Sequence, residues 1–162
     1  MKKIALVLIA MALGSFSSSA QIEKVDQEVF GMDCAPCAYG LERGLKKMDG
    51  VKNVQVSLNE GKAHLELSEN NHLSLDQIQD EVRKNGFSAK KAEVLLKGRL
   101  EKVNDGWKVI LNNEEFLVSN VTSSSVLSRM QPRAVSFHGT VEDKEDDQLN
   151  GRWEIVVTEI LD

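Results

Sequence analysis

From Lys24 the chain alternates. Val25, Gln27 and Val29 fall on one side and Lys24, Asp26 and Glu28 on the other, which predicts a strand whose inner side is only partly apolar. Past Gly31 the period lengthens. Ala38, Leu41, Leu45 and Met48 form one helical stripe, Glu42, Arg43, Lys46 and Lys47 face water, and Asp49-Gly50 ends the element. Period two returns at Val54, Val56 and Leu58 and again at Ala63, Leu65 and Leu67, with Asn59-Glu60-Gly61 between them, which predicts a hairpin. Ser74-Leu75-Asp76-Gln77 is a capping box opening a second helix, whose apolar stripe is Leu75, Ile78 and Val82 and whose stop is Asn85-Gly86. Phe87 to about Glu93 then returns as a strand. The order βαββαβ is that of a ferredoxin-like sandwich, with two helices on one face of a four-stranded antiparallel sheet.

From Val94 the pattern is β throughout. Leu96 to Val103, Trp107 to Leu111 and Glu115 to Ser119 read as a meander with turns at Asn104-Asp105-Gly106 and Asn112-Asn113. Ser123 to Met130 reads as a short helix, and Ala134 to Val141 and Trp153 to Leu161 as two more strands around the acidic loop Glu142 to Asp147. Five strands with a helix between the third and fourth is the order of a small all-β, OB-like barrel, and an open sandwich fits nearly as well. The fold class is therefore α+β, a ferredoxin-like sandwich followed by a small barrel. No linker separates the halves, and Ala92 to Leu95 runs directly from one into the other. The expected organisation is a leader at 1–20, a first domain at 21–92 and a second at 93–162.

The leader follows from Lys2-Lys3, the apolar run Ile4 to Leu13 and Ser18-Ser19-Ala20 ahead of Gln21, a secretory signal pattern with cleavage after Ala20. An uncleaved anchor is the alternative, although the run is short for a bilayer span. Cleavage removes two of the 20 Lys and Arg and none of the 25 Asp and Glu, taking the formal charge from −5 to −7. Nucleic acid is thus excluded as a partner, and nothing after the leader is apolar enough for stable membrane insertion. From Glu93 onward acids outnumber bases, and Trp107, Phe116, Phe137 and Trp153 sit among apolar neighbours as core residues. The acidic loop lacks the spaced ligands and glycine of a calcium loop.

The chemistry concentrates in Gly31-Met32-Asp33-Cys34-Ala35-Pro36-Cys37, which holds the only two cysteines. Cys34 falls in the loop and Cys37 in the first helical turn, with Pro36 suited to the first helical position. Thiolates are soft ligands, and two on one turn can converge on one ion. The helix N-terminus lowers thiol pKa and offsets the charge of a bis-thiolate complex. It serves thiol–disulfide chemistry equally well. In an exported protein an idle pair closes into a disulfide unless a metal or reductant protects it. His64, His72 and His138 lack ligand spacing to the cysteines, and no phosphate loop, Gly-x-Ser-x-Gly or His-Glu-x-x-His motif occurs, so no enzyme is expected.

Residues 24–92 resemble a heavy-metal-associated domain, the module of small copper chaperones, periplasmic mercury-binding proteins and metal-pumping ATPase tails. The resemblance rests on Gly31-Met32-x-Cys34-x-x-Cys37, on Gly50-Val51 with Val54 and Val56, and on Gly86-Phe87. It implies that Cys34 and Cys37 are the metal ligands, that Met32 packs inward, and that Phe87 lies close to the site. Asp33 and Pro36 depart from the commonest pattern. An aspartate here resembles a third ligand in zinc, cadmium and lead pumps, while plain helix capping is the other reading of Asp33. Pro36 resembles the Cys-x-Pro-Cys of thiol oxidoreductases, but no aromatic precedes Cys34, and Pro132, the only other proline, lies in the second half. The expected function is a periplasmic or secreted carrier of one Cu(I), Zn(II) or Hg(II) ion. It would pass the ion by thiolate exchange to a metal-transporting membrane protein or another carrier, with the second half docking a partner. A thiol–disulfide oxidoreductase and a partner-binding module with a structural disulfide are the alternatives.

Overall fold

The computed structural model describes residues 20–142 and 153–161. The leader up to residue 19 and the acidic loop from 143 onward lie outside the described residues. The elements are β1 (Gln21–Phe30), α1 (Ala35–Lys46), β2 (Val51–Ser57), β3 (Lys62–Leu67), α2 (Leu75–Lys84), β4 (Ser88–Val103), β5 (Gly106–Ile110), β6 (Glu115–Val118), α3 (Ser124–Leu127), β7 (Ala134–Val141) and β8 (Trp153–Leu161). The first six follow the order expected from periodicity.

In the first half the strands lie β2-β3-β1-β4, all antiparallel. Leu41 and Leu45 of α1 and Leu75, Ile78 and Val82 of α2 are buried, as are Ile22 and Val25 of β1 and Leu65 of β3. That is the outcome the two helical stripes and the alternating strands require. Glu42, expected in water, instead accepts a hydrogen bond from the Val56 backbone N–H at 2.9 Å. It satisfies a donor on the unpaired side of edge strand β2, which the helical period alone does not reveal.

The glutamine that interrupts the apolar side of β1 is fully buried. Between Gln27 and Val29 the register shifts, because β4 advances three positions, from Ala89 to Ala92, where β1 advances two. The resulting bulge leaves carbonyls without ladder partners. Gln27 Nε2 donates to Lys90 O at 3.0 Å and Lys91 O at 3.3 Å, and its Oε1 accepts from Gln79 Nε2 at 3.0 Å. A polar residue thus stands where the apolar pattern breaks, because the backbone beside it needs a donor.

β4 runs unbroken for sixteen residues and contains the expected 92/93 boundary. One of its edges pairs with β1 over Ser88–Lys97 and then with β5 over Arg99–Val103, while its other edge pairs with β7 over Ala92–Arg99. The second-half strands close a circuit of pairings β4-β5-β6-β8-β7-β4, in which only β6 and β8 are parallel. Gly139 of β7 permits this closeness, because a Cβ there would lie 2.5 Å from the Ile155 side chain. Phe116, Phe137 and Ile155 fill the interior, and Trp153 is 7% exposed.

The β5–β6 loop fastens this half to the first. The Asn112 N–H donates to Ala20 O at 2.9 Å, and the Asn113 amide donates to His72 O at 2.6 Å. The Glu114 carboxylate accepts from the Leu75 N–H at the start of α2, at 3.0 and 3.2 Å. Burial pushes the Glu114 carboxyl up to about 7 against an ordinary 4.5, with the Leu75 hydrogen bond pulling the other way and nearby Asp76 adding to the rise.

Candidate functional site

The loop between β1 and α1 is built from conformation outward. Gly31 takes φ +91°, a left-handed turn that a side chain resists, and reverses the chain after β1. Met32 then drops into the core at 7% exposure, while Asp33 stays exposed. Cys34 is extended, with φ −141° and ψ 149°, and is itself the N-cap of α1. Its sulfur accepts a hydrogen bond from the Cys37 N–H at 3.3 Å, and its carbonyl accepts from the Ala38 N–H at 3.1 Å. The capping role that the sequence allowed for Asp33 is therefore taken by Cys34. The helix begins at Ala35, so Pro36 occupies its second position and not the first; neither needs a backbone N–H within the helix.

Cys34 and Cys37 are joined by a disulfide, their Cα atoms 5.2 Å apart. The open pair pictured from the sequence is thus in its oxidised form here, and spacing explains it. One residue at the cap and one in the first turn fall within the Cα range a disulfide spans. Both cysteines are half-buried, and Cys37 packs against the core beneath α1. Reduction by two electrons and two protons gives two thiols at a helix N-terminus, where backbone N–H groups favour thiolate. Two such sulfurs within one turn can serve a soft cation or exchange with another disulfide.

Two aromatics flank the motif that the sequence reading passed over. Phe30, just before Gly31, is 70% exposed, and Tyr39, two residues after Cys37, is 62% exposed. The Arg43 guanidinium lies 5.8 Å from the Tyr39 ring centroid. Their signal was their phase, since both fall off the apolar stripe of their element. Phe87 is half-buried against the core.

The histidines stay apart, on β3, in the β3–α2 loop and on β7. His64 is engaged on both ring nitrogens, Nδ1 with Asp26 at 2.7 Å and Nε2 with Glu60 at 2.8 Å. These partners hold its pKa above the ordinary value, and in return the hydrogen bonds from His64 and Ser57 hold the Glu60 carboxyl low. Among the described residues no group of three or more His, Cys, Asp and Glu is arranged to hold a metal ion.

Over 62 residues the chain is 42% identical to a copper-transporting ATPase of Helicobacter pylori (strain ATCC 700392 / 26695), covering 38% of this chain and 8% of that protein. A copper-exporting P-type ATPase of Bacillus subtilis (strain 168) is 25% identical over 117 residues, 72% of this chain and 12% of that protein. The chain thus spans only about a tenth of the length of these relatives. Among solved structures, a copper-binding domain from a P-type ATPase is 29% identical, with 44% of this chain and 92% of that one covered at a TM-score of 0.39. With the Gly31-to-Cys37 loop, the βαββαβ order and the family model all falling on one segment, residues 28–88 match the heavy-metal-associated domain.

Proposed function

We propose that the reduced chain binds one Cu(I) ion as cargo through Cys34 and Cys37 and passes it on by thiolate exchange. The observation that carries this is the family match over 28–88, with both cysteines at the head of α1. Copper is supported by the relatives, which are named as copper ATPases, and by chemistry, since two soft sulfurs satisfy Cu(I). Asp33, exposed and free of capping duty, adds a hard oxygen that helps only a divalent ion such as Zn(II). The recipient is a metal-transporting membrane protein or another carrier, reached in the periplasm or outside the cell. A surface pair of thiolates leaves the ion open to attack by a partner's sulfurs, which makes stepwise transfer natural. The second half is read as an OB-like barrel that docks a partner, a reading supported by its circuit of pairings. The protein carries and does not catalyse.

The test is competition for Cu(I) against a chelator of known affinity, with the full mature chain under a phosphine reductant. Stoichiometric binding is expected, lost in Cys34→Ser and in Cys37→Ser and absent before reduction. Equal binding by wild type and both variants refutes the site. The disulfide favours one second reading, a thiol–disulfide oxidoreductase. Catalytic reduction of insulin by the reduced chain, without copper affinity, would establish it instead.

A further inference from the structure

The open face of the first-half sheet carries one side chain whose surroundings dictate its charge. His64 stands on β3 directly opposite Asp26 of β1, and the β2–β3 turn folds back to place Glu60 on its other nitrogen. Ionised carboxylates only accept hydrogen bonds, so both ring nitrogens must carry hydrogen for both contacts to form. Other charges on this face are Lys62, paired with Glu93 of β4 at 3.4 Å, Lys91, 3.7 Å from the same Glu93, and the Lys24–Glu66 pair at 3.5 Å. Opposite His64 on β2 stands the uncharged Gln55. Lys62 and Lys91 thus share Glu93, Lys24 has Glu66, and Glu28 of β1 stands opposite Lys62, which leaves the side-chain hydrogen bonds of Asp26 and Glu60 to the imidazole.

The contact ties a turn to the strand that leads into the cysteine loop. Glu60 belongs to the β2–β3 turn, and the next residue, Gly61, accepts a hydrogen bond from the Val29 N–H at 2.8 Å. Val29 is two residues before Gly31, and this bond extends the β1–β3 ladder one step beyond the Glu28–Lys62 pair. We infer that protonated His64 is a clasp that holds the β2–β3 turn against the end of β1, so that the order of the strand entering the cysteine loop depends on pH. A proton, not a metal, is the ligand of this site, and the inference stands whether or not the cysteines bind copper. Because the folded state raises the imidazole pKa, the clasp is fully present below 6.5 and is lost as pH rises through the higher folded value. Above it, a bare nitrogen lone pair faces a carboxylate and one arm lets go.

The experiment is NMR on the full mature chain, following the imidazole nitrogens of His64 and the hydrogen-exchange protection factor of the Val29 N–H across pH. The expected result is a doubly protonated ring with a midpoint above 6.5. Val29 protection should drop by about fivefold across that midpoint, the scale of two exposed charge contacts. His64→Gln should show the lower protection at every pH. Glu60→Gln, a change at an exposed turn residue that spares the fold, should lower the midpoint. A neutral ring at pH 6, or Val29 protection indifferent to pH and to both variants, overturns the clasp.

Discussion

Glu114→Gln tests how the two halves are fastened. The Glu114 carboxyl lies half-buried at the N-terminus of α2, accepting from Leu75, and titrates near 7 instead of 4.5. Folding therefore takes up a proton at Glu114 between those values. The unfolded chain binds fewer protons in that window, so stability falls as pH rises from 4.5 to about 7 and is level above it. At about 1.4 kcal/mol for each pH unit, the full gap corresponds to about 3 kcal/mol. Residual exposure screens this, leaving roughly 1 to 3 kcal/mol. A glutamine keeps an oxygen for the Leu75 N–H but cannot ionise. Urea unfolding of wild type and variant should thus give equal stabilities at pH 4.5 and a variant more stable by about 1 to 3 kcal/mol at pH 8. The opposite force is also present, since a helix N-terminus favours a negative charge. If that attraction outweighs burial, the variant is the less stable protein at pH 8, and the reasoning fails. A difference that does not change with pH would refute it as well.

Gln27→Leu should cost about 2 to 4 kcal/mol in thermal or urea unfolding, because the bulge carbonyls of Lys90 and Lys91 lose their donor inside the core. A loss under about 1 kcal/mol would mean the bulge finds other partners. Asp33→Ala should leave Cu(I) affinity unchanged in chelator competition and weaken Zn(II) by about tenfold. Equal weakening of both ions would remove Asp33 from any ligand set.

The helices and strands of the first half were legible because each obeys one period and ends on Gly, Asn or a capping box, and Ser74 with Gln77 forms that box as written. The second-half strands were legible for the same reason. Harder to read was whatever depends on backbone elsewhere. Gln27 looked like a flaw in an apolar face until the bulge opposite it supplied the carbonyls it serves. Glu42 read as a solvent acid and Glu114 carried no signal in the pattern, yet each answers a backbone N–H far along the chain, fourteen and thirty-nine residues away. Of the site, the cysteine pair could be read from its spacing, and the inward turn of Met32 from the family resemblance alone. Capping by a sulfur could not, since Asp33 is the better cap by residue type and only the Cys34 backbone angles decide between them.

The sixteen residues of β4 act as a common spine. A chain cut at residue 92 would strip Ile22 and Gln21 of the neighbours Leu96 and Lys97 and bare the edge of β1 that residues 93–97 of the spine now pair. Such a fragment would carry the entire cysteine loop and still present a raw sheet margin, prone to recruiting another strand. The loop is delivered on a platform that is finished only when the last strand is in place.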